Sequence, residues 1–134
     1  MEEQYIALVD DDEDDLAFLK ESFTAAHNTI SIHGFSNGKR FLDSTGMVNG
    51  GSPCLIVIDL NLPDMHGLDL AEQIKANPLL NKIQIIVFTT GYSPAELARC
   101  KKLGIEIFKK PSTVQEWEEI ALMMATYCGH ILLK

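Results

Sequence analysis

The sequence predicts an α/β protein in which five parallel strands alternate with five helices, a doubly wound (βα)5 arrangement. Five apolar runs carry this prediction: residues 5–9, 30–35, 55–58, 83–88 and 105–108. The first, third and fourth contain continuous apolar stretches, as is typical of strands that are buried on both faces of a parallel sheet. The runs start roughly 22 to 28 residues apart, which leaves room for one helix between successive strands. Helices are therefore expected on both faces of the sheet.

The segments between the runs carry helix signals. Residues 93–96 (Ser-Pro-Ala-Glu) supply an N-cap, a first-turn proline and a capping-box glutamate. Asn77 and Pro78 end the third predicted helix, and residues 112–115 (Ser-Thr-Val-Gln) open the fifth with a capping box. Residues 49–53 are predicted to form a loop. In the first helix one face is predicted to hold the apolar residues Leu16, Leu19, Phe23 and Ala26.

Length and composition fit one globular domain over residues 1–134, with 46% apolar and 22% charged residues. The net charge of -8 argues against nucleic acid and against an anionic membrane surface as partners. The three cysteines have no CxxC spacing, so reduced thiols in a cytoplasmic protein are expected. The acidic N-terminus does not resemble a signal peptide, and no stretch has the roughly 20 apolar residues of a membrane span.

Polar residues follow the predicted strands. In an open parallel sheet the functional crevice lies outside the carboxyl ends of the strands, so these residues are the candidates for a site. The second strand offers only Ser36 and Asn37, which are more simply helix caps. The other four strands offer Asp10, Asp11 and Asp12, then Asp59, then Thr89 and Thr90, then Lys109 and Lys110. Residue pattern alone leaves open which acids of the first group point inward, and which threonine takes part.

These residue types suit phosphoryl transfer to a carboxylate. Several acids at one edge repel one another unless a hard cation such as Mg²⁺ joins them, and Mg²⁺ takes carboxylate, water and phosphate oxygens. A carboxylate nucleophile can form an acyl phosphate. A threonine hydroxyl and a lysine ammonium can bind the added oxygens. Asp59 follows four apolar strand residues, where an acid is costly unless it has partners.

The chain resembles the receiver domain of two-component response regulators. The resemblance spans essentially its whole length and rests on four motifs, each at the end of a predicted strand. They are Leu8-Val9-Asp10-Asp11-Asp12, Asp59-Leu60-Asn61-Leu62-Pro63-Asp64-Met65-His66-Gly67, Phe88-Thr89-Thr90 and Phe108-Lys109-Lys110-Pro111. The resemblance implies a flavodoxin-like strand order, 2-1-3-4-5, and a stand-alone, single-domain regulator.

The same resemblance implies a role for each matching residue. Asp59 is the phosphoacceptor, and Mg²⁺ is held by Asp11, by Asp10 mostly through water, by Asp59 and by the Asn61 backbone carbonyl. Thr89 and Lys110 contact the phosphoryl group. Pro63 and Gly67 shape the loop after the acceptor, with Gly67 permitting a backbone geometry that other residues resist, and the Lys110–Pro111 bond is expected to be cis. Adjacency to Pro111 favours Lys110 over Lys109.

The sequence departs from the family pattern at three positions. Ile107 stands where the family often has an aromatic switch residue, so signalling is expected to use another rearrangement. His66 replaces a frequent Asp or Asn before the glycine, and Thr90 is bulkier than the residue common there. The four histidines, His27, His33, His66 and His130, lack metal-ligand spacing and are interpreted as structural or exposed. Glu13, Asp14 and Asp15 are interpreted as a solvated helix start.

Three functions compete. The favoured one is a receiver that accepts a phosphoryl group from a sensor histidine kinase or a histidine phosphotransfer protein and signals by binding an unnamed target. It would catalyse only its own phosphorylation and dephosphorylation. The alternative is a phosphorylation-independent protein-binding module with the same fold. An aspartyl phosphatase is disfavoured, because such enzymes want an acid two residues after the nucleophile, where Asn61 stands.

Overall fold

A computed structural model describes residues 4–26, 29–44 and 52–129. Its five strands form one sheet in the order β2-β1-β3-β4-β5, and each adjacent pair is parallel. The predicted fold class and strand order are confirmed. Part of the loop predicted at residues 49–53 and two of the four histidines, His27 and His130, lie outside the described residues.

Strands and helices alternate along the chain as predicted. The elements are β1 (Tyr5–Val9), α1 (Glu13–Ala25), β2 (Ser31–Phe35), α2 (Gly38–Ser44), β3 (Leu55–Ile58), α3 (Gly67–Ala76), β4 (Gln84–Thr89), α4 (Pro94–Leu103), β5 (Glu106–Lys109) and α5 (Val114–Tyr127). β4 and β5 begin and end one residue later than their apolar runs, because backbone pairing in the ladder rather than apolarity sets the ends of a strand.

Two hydrophobic cores lie on opposite faces of the sheet. Side chains alternate between the faces along each strand, so Ala7 and Val9 enter one core while Ile6 and Leu8 enter the other. Residues of α2, α3 and α4 cover the first face, and residues of α1 and α5 cover the second. Both faces of β1 and β3 are therefore buried, which explains their continuous apolar sequences.

Most predicted helix ends are confirmed. Ser93 caps α4 in a reciprocal capping box with Glu96, and Asn77 is the C-cap of α3. The prediction for α5 was wrong by one residue, because its N-cap is Thr113 rather than Ser112. The Thr113 hydroxyl accepts from the Glu116 backbone N–H at 3.1 Å, and the side chain of Glu116 accepts from the hydroxyls of Ser112 and Thr113.

The expectation of reduced thiols was wrong for two of the three cysteines. Cys54, just before β3, forms a disulfide with Cys128, the C-cap of α5, with the Cα atoms 5.1 Å apart. Cys100 is free and buried. A separation of 74 residues hides this pairing in the sequence, since only the packing of α5 beside β3 brings the two cysteines together.

Reduction of this disulfide is expected to lower the free energy of unfolding by about 3–4 kcal/mol, because a long closed loop restricts the unfolded chain. Denaturant unfolding with and without a thiol reductant measures the difference. A Cys54→Ser/Cys128→Ser double variant serves as the control, since its stability should not respond to the reductant. Equal stability of the natural chain under both conditions would contradict the prediction.

Among residues 4–26, 29–44 and 52–129, none of the helices has the length and apolar character that a membrane span requires.

Candidate functional site

Backbone hydrogen bonds continue the sheet beyond its strands and bring their polar termini together. The N–H of Asp10 donates to Phe35, and the N–H of Asp59 donates to Val9. Between β4 and β5, at the same edge of the sheet, the N–H of Lys110 donates to the Thr89 carbonyl at 2.8 Å. The carboxyl ends of β1, β3, β4 and β5 are thus held in register at one edge.

Three carboxylates at this edge could hold a metal ion. One oxygen from each of Asp10, Asp11 and Asp59 lies within 4.8 Å of the others. Asp10 and Asp59 are buried, whereas Asp11 is exposed. Burial raises the pKa of Asp10, although the Asp12 N–H and the Lys110 ammonium both oppose the shift. Asp10 Oδ2 is buried and has no hydrogen bond of good geometry. An all-oxygen group with such an atom fits a hard divalent cation such as Mg²⁺.

The ammonium of Lys110 lies among three carboxylates. Its Nζ is 3.1 Å from Asp59 Oδ2, 2.9 Å from Asp10 Oδ2 and 2.5 Å from Asp15 Oδ2. Burial alone would lower the pKa of Lys110, but the close contacts of its ammonium with the carboxylates of Asp15, Asp10 and Asp59 raise it above its ordinary value. Lys110 therefore carries a full positive charge beside the candidate acceptor.

Asp15 was misjudged as part of a solvated helix start. Its side chain is buried and contacts Lys110, whereas Glu13 and Asp14 are exposed as expected. The buried face of α1 consists of Asp15, Leu19, Ser22 and Phe23. The signal was present in the sequence: Asp15 precedes Leu19 by four residues and so shares its helical face. An acid on a buried face needs a partner, since an unpaired charge there is costly.

The Thr89 side chain is fully buried at the end of β4. Its hydroxyl donates to the Gly91 carbonyl at 3.1 Å. A contact with a phosphoryl group on Asp59 would require this hydroxyl to turn away from the Gly91 carbonyl. Thr90, the other candidate, is exposed.

The loop after Asp59 is tied back to the acceptor. The N–H of Asn61 donates to Asp59 Oδ1 at 3.2 Å, and the N–H of Gly67 donates to the Leu60 carbonyl at 2.8 Å. Asn61 and Pro63 are both exposed. Asp64 Oδ1 and Oδ2 accept from the N–H groups of Gly38 and Lys39, which holds the loop to the start of α2 and lowers the pKa of Asp64.

Gly67 is required for space rather than for backbone geometry. Among the described glycines only Gly104 and Gly129 have positive φ, so the expectation of an unusual backbone conformation at Gly67 was wrong. A Cβ atom at this position would lie 2.2 Å from the Asp59 carbonyl oxygen and 2.8 Å from the Leu60 Cα. The first turn of α3 therefore packs directly against the backbone of the candidate acceptor.

His66 links the acceptor loop to α4. Its Nδ1 accepts from the Leu68 N–H at 3.0 Å and caps α3, and its Nε2 lies 2.7 Å from Glu96 Oε2. Because Nδ1 accepts, Nε2 must carry the proton and donate to Glu96. Glu96 belongs to the capping box of α4, so the interpretation of His66 as structural stands with a specific function: it joins two helix starts.

Two further expectations concern β5 and the residue after it. The Lys110–Pro111 peptide bond is trans, since the described residues contain no cis bond, so the expected cis bond was wrong.

Ile107 is partly buried and packs against the core on the α3 and α4 side of the sheet. An aliphatic side chain already packed there offers no aromatic ring to rotate inward.

The parallel 2-1-3-4-5 sheet and the acidic edge with its lysine define a class of signalling protein. The chain belongs to the response regulator receiver domain family, whose model matches residues 6–121. It is 30% identical over 107 residues to the response regulator Rcp1 of Synechocystis sp., a match that spans 77% of this chain and 73% of Rcp1. The family consists of components of two-component signalling systems rather than conventional enzymes.

Solved structures share the fold. The phosphorylated cyanobacterial phytochrome response regulator RcpA superimposes with a TM-score of 0.80 at 18% identity, covering 99% of this chain and 100% of that one. The Mn²⁺-bound form of Rcp1 superimposes with a TM-score of 0.78 at 21% identity, covering 99% of this chain and 100% of Rcp1. Receiver domains bind Mg²⁺ or Mn²⁺ at an acidic pocket, and this chain has a cluster of three aspartates, two of them buried, at the corresponding edge of its sheet.

Proposed function

We propose that residues 1–134 form a single receiver domain that accepts a phosphoryl group on Asp59 and uses Mg²⁺ to do so. The observation that carries the proposal is the grouping of one oxygen each from Asp10, Asp11 and Asp59 within 4.8 Å, with the Lys110 ammonium 3.1 Å from Asp59 Oδ2. Each of these groups has a task in transfer of a phosphoryl group to a carboxylate.

The chemistry divides among the residues. An Asp59 oxygen attacks phosphorus, the bond from phosphorus to the donor's histidine nitrogen breaks, and an acyl phosphate forms. Mg²⁺, held by Asp10, Asp11, Asp59 and the Asn61 carbonyl, would screen the negative charge of the incoming group. Lys110 binds a phosphoryl oxygen with its ammonium, and the Thr89 hydroxyl binds another after leaving Gly91. Hydrolysis of the acyl phosphate returns Asp59 to its free state.

The proposed partners are proteins. A sensor histidine kinase or a histidine phosphotransfer protein supplies the phosphoryl group, and a target protein reads the phosphorylated state. The proposed location remains the cytoplasm, although the Cys54–Cys128 disulfide removes the argument from reduced thiols. The His66–Glu96 contact gives a physical link from the acceptor loop to α4, which would let a change at Asp59 alter the α4 and β5 surface without an aromatic switch at Ile107.

Acetyl phosphate tests this proposal, because it supplies a phosphoryl group without any kinase. In the presence of Mg²⁺ the intact mass is expected to rise by one phosphoryl group, and chelation of the metal should prevent the gain. Treatment with hydroxylamine should reverse it, since hydroxylamine cleaves acyl phosphates. If calorimetry shows that the folded protein binds Mg²⁺ but its mass stays unchanged, the proposal is wrong. That result would favour the phosphorylation-independent binding module.

A further inference from the structure

We propose that Asp15 is a positioning residue that holds the Lys110 ammonium and thereby keeps Asp10 and Asp59 available to the divalent cation. The inference rests on the proposed function, because it concerns the same metal site. Its starting point is the 2.5 Å distance from Lys110 Nζ to Asp15 Oδ2, the shortest of the three contacts that this ammonium makes with carboxylates in the described residues.

The oxygens that Lys110 contacts are the ones that a cation would use most readily. Asp10 Oδ1 already accepts from the Asp12 N–H at 2.9 Å, and Asp59 Oδ1 accepts from the Asn61 N–H at 3.2 Å. On both acids the Oδ2 atom is therefore the freer one, and Lys110 Nζ lies against both Oδ2 atoms. The ammonium and a divalent cation compete for the same two atoms.

Asp15 resolves this competition because it stands outside the metal group. Among the described residues the carboxylates grouped closely enough to share a cation are those of Asp10, Asp11 and Asp59, without Asp15. The cation repels the ammonium, and a buried ammonium without a partner is costly. Asp15 approaches from the first turn of α1, and its buried Oδ2 already lies 2.5 Å from Lys110 Nζ, so it can neutralise Lys110 when the other two acids bind the cation.

Substitution Asp15→Asn is therefore expected to raise the dissociation constant for Mg²⁺, measured by isothermal titration calorimetry, by about tenfold. The matched control is Asp14→Asn, which removes the same charge from the same turn but from an exposed side chain. This control should change the dissociation constant by less than about threefold, since exposed charges are screened. Circular dichroism checks that each variant folds, and Asp15→Ser replaces Asp15→Asn if the amide prevents folding.

A double-mutant cycle separates positioning of Lys110 from a general loss of charge. In a Lys110→Met background Asp15→Asn should weaken Mg²⁺ binding no more than Asp14→Asn does, because the ammonium to be held is gone. Equal effects of Asp15→Asn with and without Lys110, or equal effects of Asp15→Asn and Asp14→Asn in the natural chain, would overturn the inference.

Acetyl phosphate treatment of the same samples distinguishes this inference from the proposed function. If the natural chain binds Mg²⁺ with the expected pattern among variants but gains no phosphoryl group, the proposed function fails and the role of Asp15 stands. If the chain is phosphorylated while Asp15→Asn matches its control, the role of Asp15 fails alone. If the natural chain binds no Mg²⁺, both fail.

Discussion

Substitution Asp59→Asn is expected to abolish phosphorylation by acetyl phosphate completely while leaving the fold intact. The amide is close in shape to the carboxylate, and its Oδ1 can still accept from the Asn61 N–H. An amide oxygen is not the nucleophile that an ionised carboxylate is, so no acyl phosphate should form. Intact mass spectrometry before and after treatment with acetyl phosphate and Mg²⁺ measures the result.

Asp43→Asn is the matched control for this substitution. Asp43 is an exposed acid in α2 that pairs with Lys39 at 2.7 Å and takes no part in the carboxylate group. Its replacement removes one negative charge and should leave the gain of a phosphoryl group unchanged. If Asp59→Asn still gained the group at the rate of the natural chain, phosphorylation would occur at another residue and the assignment of Asp59 would be wrong.

Substitution Gly67→Ala is expected to destabilise the protein by about 3 kcal/mol, at the upper end of the effect of overpacking. The added Cβ would lie 2.2 Å from the Asp59 carbonyl oxygen and 3.0 Å from its carbonyl carbon. These are backbone atoms within the β3–α3 connection, so they cannot move aside as a flexible side chain can. Either the first turn of α3 or the end of β3 must shift.

Gly91→Ala provides the control, because a Cβ at Gly91 would meet no atom within 4 Å. Denaturant unfolding should give a change of less than about 0.5 kcal/mol for this variant. Because a shift of β3 also moves Asp59, weaker Mg²⁺ binding should accompany the loss of stability in Gly67→Ala. Similar free energies of unfolding for the two variants would contradict the prediction, because they would show that the backbone near Asp59 can shift without loss of stability.

The sequence predicted those features whose signals are local. A continuous apolar run such as Leu55–Ile58 predicts a strand that is buried on both faces. Parallel pairing of that strand with its neighbours is enough to place the acid that follows it, Asp59, at the edge of the sheet. The capping box of α4 and the end of α3 at Asn77 are likewise predicted by a few neighbouring residues in the sequence. These local signals predicted that an acid after β1, Asp59 and a lysine after β5 lie together, and the resemblance to receiver domains selected Asp10, Asp11 and Lys110 among the candidates.

Contacts between distant segments required the tertiary structure. Cys54 meets Cys128 only because α5 packs beside the start of β3, and His66 reaches Glu96 only because α3 and α4 begin side by side. The trans bond before Pro111 and the close approach of Gly67 to the Asp59 backbone also depend on local geometry that residue types do not specify.

Asp15 illustrates the difference between what the sequence predicts and what only tertiary packing decides. Its position on the buried face of α1 can be inferred from the spacing to Leu19, because helical periodicity is a local property. Its partner cannot, because the contact with Lys110 depends on how α1 is rotated and placed against the end of β5. Sequence by itself determined the strands, the helices between them and the acids that follow the strands, and the resemblance to receiver domains supplied the strand order. Tertiary packing decided which charges pair, since the distances between side chains from separate elements are set by how those elements pack rather than by any local pattern.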